Sequence, residues 1–101
     1  MKYMKSILLA ATVMAFSTTA HADGTYGVLM KTLANPFWGA MGQGVEEGAK
    51  AAGVAYDLQA VDSDQAAEPQ LNACNTMLEK KPVALITAAI NSNNLLPCLK
   101  Q

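Results

Sequence analysis

Val28-Leu29-Met30-Lys31-Thr32-Leu33-Ala34-Asn35-Pro36-Phe37-Trp38 is the stretch on which the fold turns. It begins as an apolar run with little alternation, the pattern of a strand covered on both faces. It passes through a short loop and reaches Asn35-Pro36, a pair suited to starting a helix. Asn can cap the first turn, and Pro tolerates that turn because its missing N–H has no partner there. A strand running straight into a helix is the first half of a βαβ unit.

Working downstream, Thr25 to Lys31 reads as the whole first strand and Phe37 to Ala52 as the first helix. Phe37, Met41, Val45, Ala49 and Ala52 fall on one helical face; Gln43, Glu46, Glu47 and Lys50 fall on the other. Gly39, Gly42, Gly44 and Gly48 weaken this helix by roughly 1 kcal/mol each relative to Ala, which points to close packing on a sheet or a partner domain. Gly53 is placed to end it as a left-handed cap. Residues 54–60 read as a second strand at a sheet edge, with Val54, Tyr56 and Leu58 alternating. Residues 61–68 form a polar loop, and Pro69 to Lys80 a second helix with Leu71, Cys74, Met77 and Leu78 inward. Residues 83–88 are expected to be a third, central strand, followed by the polar loop Asn91-Ser92-Asn93-Asn94. Leu95 begins a third helix that carries Pro97 in its first turn. The order βαβαβα implies an α/β fold: parallel strands joined by right-handed crossovers.

Upstream, residues 1–22 read as a signal peptide. Lys2 and Lys5 precede an apolar run from Ile7 to Phe16, and Ala20-His21-Ala22 is a small-x-small cleavage signal. The apolar run falls short of the roughly 20 residues a membrane span needs. Residues 23–101 then carry five Lys against eight acids, a net of −3, with no Arg. There is no basic patch for nucleic acid. The only His, His21, lies in the signal segment, which removes Ser-His and Cys-His catalysis and His-based zinc sites from the rest. No catalytic residue, metal ligand or cofactor motif emerges: no Gly-x-Gly-x-x-Gly follows the first strand, and no Gly-Lys-Ser/Thr occurs. Asp57, Asp62 and Asp64 read as a solvated turn. Cys74 and Cys98 have two readings: one disulfide, as export favours, or two small buried thiols on apolar helix faces.

Ligand chemistry concentrates in the loop that leaves the first strand, where open α/β sheets bind their ligands. Asn35 and Lys31 can hydrogen-bond hydroxyls, and Phe37 and Trp38 can lie against the C–H face of a sugar ring. These residues carry a resemblance. Tyr26 to Gly53, with Val-Leu-Met-Lys-Thr-Leu-Ala-Asn-Pro-Phe-Trp and the helix after it, is similar to the start of the ribose/allose-type solute-binding proteins of ABC importers. The likeness extends more weakly through Asp62-Ser63, the second helix and the segment from Ile86 to Leu95.

The resemblance implies a partial periplasmic-binding-protein type I fold, with residues 23–101 the N-terminal part of a first lobe and the rest beyond Gln101. It also implies that Asn35 hydrogen-bonds sugar hydroxyls, that Phe37 and Trp38 sandwich the ring, and that Lys31 reaches the sugar; Asn91 borders the cleft. Trp38 together with Lys31 brings the chain closer to the allose type than to the ribose type. The function so implied is non-enzymatic: capture of a monosaccharide in the periplasm and delivery to an ABC permease of the inner membrane by the full-length form. The alternative is a small exported half-domain that acts as a protein-interaction module without binding sugar.

Overall fold

The computed structural model describes residues 24–101; the expected signal peptide, residues 1–22, lies outside the described residues. The elements run β1 (Thr25–Leu29), α1 (Pro36–Ala52), β2 (Ala55–Gln59), α2 (Ala67–Glu79), β3 (Leu85–Thr87) and α3 (Leu96–Leu99). All six lie where the sequence places them, with strands shorter by one to two residues at their ends. The second helix starts two residues before Pro69, whose missing N–H is harmless in a first turn. Among the described residues, no helix is long and apolar enough to cross a membrane.

The three strands form one parallel sheet in the order β2-β1-β3. The strand expected to be central, β3, therefore lies at an edge, and β1 is central. A right-handed crossover from β1 to β2, followed by one that returns across β1 to β3, produces this order and sends successive helices to opposite faces. The apolar run of β3 suggested burial on both sides, yet Ile86 is 50% exposed and Val83 51%. Apolar composition reports only that a strand can be buried.

One face of the sheet carries the core. Leu29, Cys74, Met77, Leu95 and Cys98 are buried together, with Leu71, Leu78 and Leu85 packed against them. Cys74 and Cys98 form a disulfide that ties α2 to α3, so of the two readings of the cysteines the bonded one holds. Met77 lies so close to β1 that a Cβ on Gly27 would sit 2.6 Å from its sulfur. Met77 is itself buried and has little room to yield. Gly27→Ala is expected to cost about 1–3 kcal/mol through overpacking. A urea titration followed by far-ultraviolet circular dichroism checks it; an unchanged midpoint would show that Met77 repacks freely.

The opposite face is covered by α1. Asn35 caps this helix, accepting a hydrogen bond from the Phe37 amide, and Gly53 closes it at φ 66° with its N–H turned back to the last carbonyls. Of the five residues expected to face inward, only Ala49 is buried; Phe37 is 62% exposed and Met41 40%. The first turn of α1 stands at the carboxyl ends of the strands, away from the buried core. Gly39 and Gly42 do approach the β1–α1 loop closely at Leu33, whereas a Cβ on Gly44 or Gly48 would meet nothing within 4 Å beyond the helix's own backbone. Close packing thus explains two of the four helical glycines. An apolar groove of about 320 Å³ runs between α1 and the sheet, lined by Val28, Val45, Ala49 and Ile86 among others. In the middle of β2, Asp57 is held below its usual pKa by hydrogen bonds from the Gln59 amide and the Lys80 ammonium.

Candidate ligand site at the strand ends

Placing β1 in the centre sends its following loop over the middle of the sheet's carboxyl edge. Lys31, Asn35, Phe37 and Trp38 all sit on this loop or on the first turn of α1. The Lys31 ammonium lies 5.1 Å from the Trp38 ring centroid, a cation–π contact. Phe37 meets Trp38 edge to face, with ring centroids 4.7 Å apart and planes at 88°. The result is an aromatic corner, exposed at Phe37 and half-buried at Trp38, with a cation on one side.

Asn35 completes the corner and is held by two bonds. Its Oδ1 accepts from the Phe37 amide at 3.0 Å, and its Nδ2 donates to Asp64 Oδ2 at 3.0 Å. Asp64 comes from the loop after β2, one of three acids expected to be a solvated turn. Asp62 is exposed as expected, but Asp57 and Asp64 are half-buried and engaged. Among the described residues, no group of three acidic, His or Cys side chains could hold a metal ion.

Asn91 lies in the loop after β3, the next strand along, and is exposed. Its Oδ1 accepts from the amides of Asn93 and Asn94 at 2.9 and 2.8 Å. That carbonyl is therefore engaged in shaping its own loop. The structure thus gathers four of the five expected residues at one strand end and sets the fifth on a neighbouring loop.

Gln70, absent from the sequence reading, organises this edge. It is fully buried. Its Nε2 donates to the carbonyls of Met30 and Ala88 at 3.3 and 2.8 Å. Its Oε1 accepts from the Ile90 amide at 3.0 Å and from Asn94 Nδ2 at 2.9 Å. One side chain thereby stitches the residue before Lys31 to the residue before Asn91. A signal was present: Gln70, Cys74 and Met77 share one helical stripe, so a polar residue stands where the spacing demands burial.

The model of the periplasmic binding protein domain matches residues 26–101. The D-allose-binding periplasmic protein of Escherichia coli (strain K12) is 35% identical over 94 residues, which cover 93% of this chain and 30% of that protein. A solved ABC transporter periplasmic solute-binding protein from Actinobacillus succinogenes 130z, with bound D-allose, superimposes with a TM-score of 0.72 at 28% identity, over 76% of this chain and 27% of that one. An ABC transporter solute-binding protein from Burkholderia multivorans, with an unknown ligand assigned as α-D-erythrofuranose, gives a TM-score of 0.71 at 25% identity, over 76% and 28% of the two chains. The chain spans less than a third of the length of each relative. With the family match over residues 26–101, the chain belongs to the periplasmic binding protein family.

Proposed function

We propose that residues 23–101 form the N-terminal part of the first lobe of a periplasmic monosaccharide-binding protein, that the sugar is an allose-like hexose, and that the full-length form hands it to an ABC permease. The signal peptide read in residues 1–22 would export it. The observation that supports this reading is the convergence of Lys31, Asn35, Phe37 and Trp38 at the carboxyl end of the central strand. Aromatic faces accept the C–H side of a pyranose, while Asn35 and Lys31 meet its hydroxyls. Selectivity between epimers would follow from buried polar groups left unpaired when a hydroxyl points the wrong way.

One wall of a cleft binds weakly, so the chain by itself is expected to show no saturable D-allose binding at millimolar concentrations. The decisive test is a chimera: residues 26–101 replace the matching segment of the E. coli D-allose-binding protein, and D-allose is titrated by calorimetry. One-to-one binding is expected, weakened at least about tenfold by Asn35→Ala and by Trp38→Ala with the fold intact, the scale of one lost polar or aromatic contact. Unchanged affinity in both variants would sink the site assignment.

The exposure of Val83 and Ile86 beside the open edge of β3 favours a second reading, an exported module that associates through this edge. A sedimentation mass that rises with concentration, together with a chimera that does not bind, would select it.

A further inference from the structure

Asn35 can serve a sugar in more than one way. A free side-chain amide carries two N–H donors and two acceptor lone pairs, and its terminal torsion is soft. Capping of α1 uses one lone pair, through the Phe37 amide at 3.0 Å, but leaves the amide plane free to swing. The bond from Nδ2 to Asp64 Oδ2, also 3.0 Å and reaching across 29 residues of sequence, removes that freedom. We propose that Asp64 is a positioning residue for the ligand site: it fixes the Asn35 amide so that one N–H and one lone pair remain for a ligand, a match for two adjacent hydroxyls. This rests on reading Asn35 as a ligand group.

Two observations make the carboxylate more than a turn residue. First, the carboxylate oxygen accepts from the Asn35 nitrogen on the side away from the cap, so the amide is held at both ends, its oxygen by the Phe37 amide and its nitrogen by Asp64. Second, the other oxygen, Oδ1, is shut off from solvent and accepts no hydrogen bond from the protein; among the described residues it is the buried side-chain oxygen or nitrogen in that position. Burying part of a carboxylate this way carries a desolvation cost that a solvated turn would avoid. Stability alone does not account for Asp64 at this place. Orientation of Asn35 does.

The test has two arms. In the ¹⁵N-labelled chain, Asp64→Ala should move the Asn35 side-chain NH₂ resonances toward those of free asparagine and speed their exchange with water. The Phe37 amide, protected by the cap, should change little; a merely structural role would loosen both together. Asp64→Asn, whose carbonyl can still accept the bond, should stay near wild type. In the D-allose chimera, Asp64→Ala should weaken binding about tenfold, the scale of a lost charge-assisted hydrogen bond. Added to Asn35→Ala it should cost nothing further, because the two act through one amide. Unmoved Asn35 NH₂ signals in Asp64→Ala, or independent and additive losses in the double variant, would overturn the proposal. A wild-type chimera that fails to bind D-allose would instead refute the sugar reading, and the resonance arm would still decide the Asn35–Asp64 pairing.

Discussion

Gln70→Leu is expected to leave the chain at or beyond the edge of folding. Leucine fills much the same space but offers nothing to the carbonyls of Met30 and Ala88, the Ile90 amide or Asn94 Nδ2, all of which Gln70 satisfies. A buried group so abandoned costs about 1–3 kcal/mol; the Met30 bond is buried, the other three are part-buried and Asn94 Nδ2 keeps its bond to Ala67, so together they come to about 4 kcal/mol. A chain of this size has a total stability on the order of 4–12 kcal/mol. Urea unfolding followed in parallel by Trp38 fluorescence and circular dichroism measures the loss. A midpoint close to wild type would mean that water takes over the bonds and that Gln70 is a bystander. The carbonyls flank the candidate site, so whatever native population survives should show the Lys31–Trp38 contact loosened.

Removal of the Cys74–Cys98 bridge comes next in expected effect. The bridge closes a loop of 24 residues between two fully buried positions. Opening it in a Cys74→Ala/Cys98→Ala chain is expected to lower stability by about 3.5 kcal/mol, from the chain entropy returned to the unfolded state. The two missing sulfurs add a packing loss, because they belong to the buried cluster with Leu29, Met77 and Leu95. Thermal unfolding with and without reductant checks this. Equal melting temperatures for the oxidised wild type and the double variant would show that packing of α3 on α2 suffices. The four-residue α3 makes that outcome the less expected one, because so short a helix has little of its own to hold it.

The alternation of apolar runs with helical periodicity made the element order legible, since each run has one face or two to bury and the spacing says which. Gly53 and Asn35-Pro36 marked the ends of α1 because cap chemistry is local. Strand order was not legible in the same way. Whether β3 is central or peripheral depends on where a crossover returns, and its composition is equally suited to both. The inward face of α1 was overread for a related reason: Phe37 and Met41 share a stripe with Ala49, but periodicity gives direction and not the extent of the surface opposite.

The candidate site divides along the same line. Lys31, Asn35, Phe37 and Trp38 are neighbours in sequence, so their proximity could be foreseen from one loop. Asp64 and Gln70 reach the site from 29 and 40 residues away. Their partners are backbone groups and the side-chain amides of Asn35 and Asn94, which leave no spacing pattern. Cys74 and Cys98 had two credible readings because a buried thiol and a half-cystine occupy the same apolar environment.

That β1 is both the first strand in the chain and the middle strand of the sheet bears on how the molecule comes into being. Leu29 accepts from Thr87 across 58 residues, so the most buried strand is synthesised long before its second neighbour. At about 5–20 residues per second, some three to twelve seconds pass with Val28, Leu29 and Met30 bare along one edge. During that interval β1 can pair with β2 alone, and its β3 edge stays open. The sheet is complete only once the segment after α2 has emerged.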